Sequence, residues 1–293
     1  ARYTMHLLKR SANKDADMEK VLEYVNNSFE SAEEQAAFDV YDANNINPLY
    51  GFFVARAGLG ASESMRSKLA EYNDPRLSRA FITKQGTSGK EQAPGTADNA
   101  VYAPNGTPEQ GTSKYGTSLF MYSISAPTLL LSYHELKFLE AEALCRLERD
   151  AKSALKDAVV AGLLNAENSF TISRKELGKT LINAASSITE AEAESYFDNT
   201  IEAKYTAEPL KTTMTQKYFA LWGASGEATE SYNDVRRMKG LGENFIELKN
   251  PNSFPLRCPY GNSDTTTNAE VKAAYGNGQY VYSENVWWAG GSR

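Results

Sequence analysis

The chain has 293 residues and a mass of 32.3 kDa, enough for one large domain or two modest ones. Its net charge of -6 and pI near 5.2 argue against a nucleic-acid partner, because such binding depends on Lys and Arg side chains that neutralise phosphates. Hydrophobic residues make up 41% and charged residues 23%, which is ordinary for a soluble globular protein. The 17 Tyr residues provide rings with a polar end, which suit either a hydrated binding surface or a buried core.

The first residues and the two cysteines were analysed for signs of membrane insertion, secretion and disulfide formation. No segment is long and apolar enough for a transmembrane helix, and the N-terminus does not have the pattern of a signal peptide. The helical pattern starts at Ala1 without a cap, so we expect a fragment of a longer protein or a chain that lacks its beginning. Cys145 and Cys258 match no metal-binding or redox spacing. We interpret both as free, buried thiols and leave a disulfide between them open.

The first two predicted elements form a helical hairpin. A first helix has Tyr3, Leu7 and Leu8 on its inner face, and a second helix follows over residues 17–28 after a polar turn. The inward residues of the second helix are Val21, Leu22 and Val25. Two short antiparallel helices of this kind are typical of a tetratricopeptide-like unit. Only one such unit is visible, so the pattern does not predict a solenoid.

The next part of the chain is rich in turn-forming residues. We predict irregular structure with a short strand over residues 41–60, where Asn, Pro and Gly alternate with aromatic residues. Residues 61–72 predict a short helix with Met65 and Leu69 inward, stopped by the Asn-Asp-Pro that follows. Residues 85–118 are rich in Gly, Thr, Ser, Asn and Pro. Loops of this length are usually functional or disordered, so we consider an ordered binding loop here.

The most regular helical pattern in the chain lies within residues 125–149. Ser132 and Glu135 have the spacing of a capping box, in which each side chain satisfies an amide at the start of a helix. Apolar residues then recur at three- and four-residue spacing and share one helix face. These are Leu136, Leu139, Ala143 and Leu147. We therefore predict a scaffold helix that is packed on both sides and has no chemical role.

The remaining sequence predicts more helices and then a loop-rich end. The predicted helices cover residues 151–163, 172–187 (loosely helical), 189–205, 208–221 and 225–238. From Gly240 onward Pro, Gly and Asn recur, and the chain is predicted to be mostly loop. The residues thus indicate a helical scaffold that carries long, aromatic-rich loops.

Three segments resemble catalytic motifs, but each lacks a residue that the motif requires. His134-Glu135 begins like a zinc-protease helix, but Phe138 occupies the position of the second ligand. Residues 178–180 end like a phosphate-binding loop, but Ser173 stands where the first glycine is required. Residues 60–64 lack the last glycine of a nucleophile elbow. We therefore predict no catalytic residue, no metal site and no cofactor.

Several charged and aromatic residues have both a chemical and a structural interpretation. Glu140 and Glu142 could be the paired carboxylates of a glycosidase, but two residues apart on a helix they point in different directions. We interpret one as bonded to a neighbouring helix end and the other as solvated. Asp234, Arg236 and Arg237 are interpreted as a structural salt-bridge cluster that holds a loop. The three tryptophans are interpreted as packing anchors rather than platforms for sugar rings: Trp222, Trp287 and Trp288.

A series of short motifs in a fixed order covers most of the chain. They lie at residues 47–50, 73–77, 127–144, 216–221, 234–237 and 254–260, with Trp287-Trp288 near the end. Together they resemble the SusD/RagB family of surface nutrient-binding lipoproteins of the Bacteroidetes, in which one helix pair usually reads Gln-Lys-Trp and ends in Arg-Arg. Two positions depart from the family pattern. Tyr232 stands where a Trp is common, and Gly261 stands where the closing loop often has Pro.

The resemblance implies a mostly α fold, with tetratricopeptide-like helical hairpins packed against a loop-rich irregular half that has little β structure. It also implies one domain over residues 1–293 that is incomplete at its N-terminus. In that domain a loop-rich region (41–124) is inserted between hairpins, and residues 240–293 form a C-terminal loop region. Family members are outer-membrane, surface-exposed lipoproteins, and their lipid anchor is absent from this chain. They cover a SusC-like TonB-dependent transporter and capture glycans or, in some members, peptides.

From these expectations we place the ligand-binding residues in the loop-rich half. Tyr50, Phe52, Tyr102 and Tyr115 would stack on sugar rings or peptide side chains, with Asn45 and Arg56 as polar partners. A peptide-binding member of the family and a tetratricopeptide-like adaptor for a partner protein are the alternatives. A glycoside hydrolase is a third, without a carboxylate pair to support it. Whether the ligand is a glycan or a peptide, and whether a calcium ion is bound, stay open.

Overall fold

Helices dominate the structure, a computed structural model that describes residues 1–56, 59–83, 92–95, 101–107, 111, 114–249 and 253–291. The helices are α1 (Arg2–His6), α2 (Lys14–Asn26), α3 (Pro48–Arg56), α4 (Glu63–Glu71), α5 (Tyr133–Arg146), α6 (Lys152–Leu177), α7 (Glu190–Tyr196), α8 (Glu202–Ala207), α9 (Pro209–Leu221), α10 (Ala228–Leu241), α11 (Asn262–Thr267) and α12 (Ala269–Tyr275). The strands β1 (Ala36–Phe38) and β4 (Thr128–Leu131) form one antiparallel pair, and β2 (Phe81–Ile82) and β3 (Thr117–Ser118) form another. The predicted mostly α class is confirmed.

Helix α5 is the centre of the helical half, as predicted. The Ser132 hydroxyl accepts a hydrogen bond from the Glu135 backbone N–H at 3.1 Å, which is one half of the capping box. The other half is absent, because the Ser132 N–H donates instead to the Glu227 carboxylate at 2.7 Å. Helix α5 packs against α2, α6 and α9, and eight of its side chains are buried. It is therefore enclosed by helices rather than packed on two faces only.

The first hairpin forms with Leu8 buried as predicted, but Met5 is buried in place of Tyr3 and Leu7. Met5 and Leu8 are buried against α2 and α5, whereas Tyr3 is 79% exposed and Leu7 is also exposed. The apolar residues near the chain start allow either face to be inward. Met5 and Leu8 are three residues apart and contribute to the core that α2 and α5 form, so that face is buried. The prediction for Tyr3 and Leu7 was wrong.

The region predicted as irregular with a short strand contains helix α3. The Asn47 side chain accepts a hydrogen bond from the Leu49 N–H at 2.8 Å, and Pro48 occupies the first helical position. Asn and Pro, which we interpreted as turn formers, therefore start a helix. Helix α4 agrees with the prediction, since Ser62 caps it through the Met65 N–H at 3.2 Å and its inward residues are buried.

Helix α6 is a single helix of 26 residues, where we predicted a helix to residue 163 and a loosely helical segment over 172–187. Gly162 does not interrupt it. A Cβ there would lie 2.9 Å from the Ala220 Cβ, so this glycine permits α9 to approach α6 closely. The helix ends before Gly178, whose φ is +51°. Thr189, the first residue of the helix predicted over 189–205, caps α7, and a π-helical turn (Phe197–Ile201) separates α7 from α8.

The C-terminal part combines the predicted last hairpin with a loop-rich end. Helices α9 and α10 form the hairpin, and the segment predicted as mostly loop also contains the short helices α11 and α12. The Asn268 side chain caps α12 by accepting the Glu270 N–H at 3.0 Å, a local signal that the loop prediction missed. Both cysteines are free, but neither is fully buried as predicted, since Cys145 is half-buried and Cys258 is exposed.

Gly226, at the start of α10, provides a test of close backbone packing. Its φ is +90°, and a Cβ there would lie 2.3 Å from the Leu129 carbonyl oxygen of β4. We expect Gly226→Ala to lower the free energy of unfolding by about 3 kcal/mol, because the backbone strain and the clash add. Gly242→Ala is the control. Gly242 has a similar φ of +83°, but there is open space where its Cβ would lie. The substitution should therefore lower the free energy of unfolding, measured in urea, by only about 1 kcal/mol. Equal losses of unfolding free energy in the two variants would show that the clash at Gly226 adds no destabilisation.

Candidate functional site

Four of the six predicted ligand-binding residues lie on or beside helix α3. Phe52 is 50% exposed, and Arg56 is exposed at the end of the helix. The Tyr50 hydroxyl donates to the Glu176 carboxylate at 3.0 Å, and burial together with this bond raises the pKa of Tyr50. Asn45 is exposed, and its side-chain amide donates to the Val40 carbonyl at 3.2 Å. The structure therefore brings an exposed ring and a guanidinium group together on one helix.

The two other predicted residues, Tyr102 and Tyr115, lie on neighbouring backbone segments. The Gly116 N–H donates to the Val101 carbonyl at 2.9 Å, which holds the segments side by side. Tyr115 is only 6% exposed. The half-buried Tyr102 ring packs edge-on against Phe81, with ring centroids 5.2 Å apart. Much of the predicted loop over residues 85–118 lies outside the described residues.

A cleft of about 590 Å³ lies between α4 and α9, closed on its sides by residues 104–105 and 245–249. We call it the α4–α9 cleft. Its polar lining residues are Glu63, Ser64, Ser67, Lys68, Glu71, Asn105, Lys211, Thr215, Glu247 and Lys249. Its aromatic lining residues are Tyr72, Phe219 and Phe245. Its volume is in the range typical of small-molecule sites.

The polar groups of the α4–α9 cleft are held in place by one another. Asn105 Oδ1 accepts the Ser62 hydroxyl at 3.1 Å, which fixes the loop that carries Tyr102 to the start of α4. Lys68 Nζ donates to the Ser64 hydroxyl at 3.1 Å, and burial, then the nearby charge of Lys249, lower the pKa of Lys68. The cleft thus offers hydroxyl, amide, ammonium and carboxylate groups around aromatic rings. Such a set can hydrogen-bond a ligand that carries many hydroxyl groups.

A buried ionic network joins α5 to α9 and α10, and the sequence pattern indicated only part of it. The Arg237 guanidinium donates to both Glu142 oxygens, at 2.5 and 2.8 Å, and to Asp234 at 2.8 Å. Lys217 Nζ lies 2.7 Å from Asp234 Oδ2. The Asp234–Arg237 cluster is confirmed. Glu142, however, is fully buried in the network, and Glu140 pairs with Lys137 rather than being solvated.

A second part of this interior brings two carboxyl groups together. Arg2 donates to Glu135 and, at 2.9 Å, to Glu227. Burial, and then the adjacent Glu135 carboxylate, raise the pKa of Glu227 to about 8. The Lys217 and Arg2 charges outweigh burial and lower the pKa of Glu135 to about 2. Both Glu135 oxygens accept from Arg2, whereas in the described part of the chain only Oε1 of Glu227 accepts hydrogen bonds, from Arg2 and the Ser132 N–H. Both carboxyl groups are buried, so they form no exposed acid–base pair.

The tryptophans and Arg236, which were interpreted as structural residues, differ in how far they are buried. Trp222 packs against Phe81 and Phe120, with ring centroids 5.2 and 5.1 Å apart, which confirms it as a packing anchor. Trp287 is 54% exposed, and the Arg10 guanidinium lies 5.0 Å from its ring centre. The Arg236 guanidinium donates to the Leu256 carbonyl and holds the C-terminal loop, as predicted.

The sequence and the fold of this chain are both similar to those of known proteins. A protein-family model described as SusD-like, "starch-binding associating with outer membrane", matches residues 2–260. A SusD/RagB family protein from Bacteroides thetaiotaomicron is 66% identical, with a TM-score of 0.93 over 100% of this chain and 63% of that chain. No curated protein sequence matches the chain.

More distant solved structures share the fold at low sequence identity. A SusD homolog from Bacteroides fragilis is 19% identical, with a TM-score of 0.68 over 98% of this chain and 64% of that chain. A chitin-binding protein is 18% identical, with a TM-score of 0.66 over 98% of this chain and 62% of that chain. The chain therefore spans less than two thirds of the length of each of these three proteins.

The family assignment rests on sequence and fold together. Within the described residues, no helix has the length and apolar character needed to cross a membrane. The matched family is a nutrient-binding family that associates with the outer membrane, and it is generally non-catalytic. The matches cover nearly all of the chain, and the mostly α architecture agrees with them. This chain belongs to the SusD/RagB family.

Proposed function

We propose that this protein captures oligosaccharides at the cell surface, without catalysis, and passes them to a SusC-like TonB-dependent transporter of the outer membrane. The observation that carries the proposal is the α4–α9 cleft, where hydroxyl, amide and charged side chains surround the Tyr72 ring. A sugar presents hydroxyl groups to such side chains and an apolar ring face to an aromatic ring. The family description as starch-binding and the fold shared with a chitin-binding protein support a glycan ligand.

Some of the predicted aromatic residues would form a second contact surface for the glycan. The loop that carries Tyr102 forms one wall of the α4–α9 cleft through Asn105. Phe52 and Arg56 lie exposed on α3, where a long glycan could extend. Tyr115 is buried, so a sugar could reach its ring only if the chain around it moved. We therefore place Tyr102, Phe52 and Arg56 ahead of Tyr115 as contacts.

A bulky side chain in the α4–α9 cleft tests this site. Ser67 is exposed on α4 and lines the cleft, so Ser67→Trp would fill it without disturbing the core. We expect calorimetric titration with maltoheptaose and chitohexaose to show saturable binding of at least one of them to the parent chain. The Ser67→Trp variant should bind at least about tenfold more weakly, because the ligand loses its space and its hydrogen bonds.

Ser153→Trp is the matched control, since Ser153 is exposed on α6 and does not line the cleft. It should leave affinity unchanged, and thermal melts of both variants should match the parent chain. Equal affinity of Ser67→Trp and the parent would remove this cleft from the site. Binding of mixed peptides but of neither glycan would change the nutrient class. Absence of binding to all of them would contradict capture by this chain.

The hand-off to a transporter and the surface location complete the proposal. We infer a lipid-anchored protein on the outer face of the outer membrane, because the family associates with that membrane. The alternative of a peptide-binding member uses the same cleft, whose Lys and Glu side chains can also pair with peptide charges. The polyhydroxyl complementarity of the cleft favours the glycan.

A further inference from the structure

A second concave surface lies on the helical half, away from the α4–α9 cleft. It has a volume of about 560 Å³ and runs between the outer face of α6, the start of α7 and residues 30–35. We call it the α6–α7 groove. Its floor includes Val160, Ala161 and Leu164, which are half-buried side chains on one side of α6. The floor is therefore an apolar strip that is open to a ligand.

The rims of the α6–α7 groove are strongly acidic. Five carboxylates line it, namely Glu30, Glu33, Asp157, Glu190 and Glu194, against a single lysine, Lys156. The groove therefore has an excess of four negative charges in a chain whose whole net charge is -6. The groove is therefore a locally acidic surface beside an apolar strip.

Few of these carboxylates are neutralised by the protein itself. Lys156 is held by Asp198, at 2.8 Å, and Asp157 lies 3.5 Å from Lys137. Glu30, Glu33 and Glu190 form no ion pair in the part of the chain that the structure describes. Exposed carboxylates around an apolar floor are best compensated by a ligand that is cationic at its edges and apolar in its centre.

We propose that the α6–α7 groove docks a segment of a partner protein in which Lys or Arg residues flank an apolar side chain. The apolar side chain would cover Val160, Ala161 and Leu164, while the cations lie against the carboxylates of residues 30–33 and of α7. The inference rests on charge complementarity and on the apolar floor, and it does not depend on which nutrient the α4–α9 cleft binds.

A protein segment is favoured over a cationic sugar polymer by the composition of the floor. Apart from His134, which is buried, Tyr133 is the aromatic side chain that lines the groove, whereas aliphatic side chains form the floor. Aliphatic side chains suit a Leu or Val from a partner, while a sugar ring packs best on an aromatic face. If chitosan oligomers bound to the α6–α7 groove and the basic, apolar peptide did not, the proposal would be overturned.

The test uses two fluorescein-labelled peptides of equal charge. The first has Lys and Leu at helical spacing over twelve residues, and the second has Gln in place of each Leu. We expect saturable binding of the Leu peptide, at least about fivefold tighter than the Gln peptide, and weakened roughly tenfold between low and 0.3 M salt. Glu190→Gln with Glu194→Gln should weaken it about tenfold, whereas Glu23→Gln with Glu208→Gln, both outside the groove, should change it less than about twofold.

One variant separates docking from general attraction between opposite charges. Ala161→Glu adds a negative charge to the floor, so charge attraction alone would tighten binding of the Leu peptide. Insertion of an apolar side chain would instead be blocked, and binding should weaken about tenfold. Tighter binding to Ala161→Glu, equal effects of the two double variants, or no saturable binding of the Leu peptide would each overturn the proposal. Thermal melts confirm that every variant is folded.

Discussion

Replacing Arg237 with Leu is expected to lower the free energy of unfolding by about 3–5 kcal/mol, the largest effect of any single substitution that we predict. The guanidinium is buried and donates to both oxygens of Glu142 and to Asp234. Its removal leaves two buried carboxylates, of which Glu142 has lost its main charge partner and Asp234 one of its two cations. The nearby charges of Arg146 and Lys217 compensate only part of the loss.

Arg149→Leu is the control for this prediction. Arg149 forms an ion pair with Glu19 at the surface, where both side chains are about half exposed. Solvent screens such a pair, so its loss should cost no more than about 1 kcal/mol. Urea unfolding of both variants measures the difference. Equal destabilisation would show that the buried network contributes no more than a surface pair, and would contradict its assigned role in holding α10 against α5.

Glu227 should make the stability of the protein fall as the pH rises from about 6.5 to about 8, above the window in which the buried His134, with its pKa lowered to about 4, contributes the opposite slope. Burial, then the neighbouring Glu135 carboxylate, raise the pKa of Glu227 to about 8. In the unfolded chain its pKa is near 4.5, so between these values the folded state holds a proton that the unfolded state has released. Stability is therefore fully present below the unfolded pKa and is lost as the pH rises through the folded pKa.

Each pKa unit corresponds to about 1.4 kcal/mol, and we expect a total loss on the order of 3 kcal/mol for this closely spaced pair. Glu227→Gln should remove this slope, because a neutral amide can replace the protonated carboxyl beside Glu135 and still accept the Ser132 N–H. Glu208→Gln, an exposed change, should keep the slope of the parent chain. Unfolding in urea at several pH values above about 6.5 gives the three profiles. A slope retained in Glu227→Gln would mean that another group is responsible.

Local signals in the sequence determined most of the helices. Ser132 caps the helix that was predicted to follow it, and Ser62 and Thr189 cap helices close to the predicted starts at residues 61 and 189. Capping depends on residues within one turn, so it can be predicted without knowledge of the rest of the fold. Periodicity likewise placed Met65 and Leu69 inward on α4. The series of family motifs, ordered along the chain, was sufficient to predict the family and its mostly α class.

The remaining features depend on contacts between distant parts of the chain. Which face of α1 is buried depends on α2 and α5, so Met5 was missed. Glu142 meets Arg237 across 95 residues, and the pKa of Glu227 depends on its distance from Glu135, which no local pattern encodes. The α4–α9 cleft combines α4, α9 and two loops in the same way. The sequence by itself determined most of the helices and the family, whereas only the tertiary structure decided which charges are buried and where a ligand fits, because burial and cavities arise when distant segments pack together.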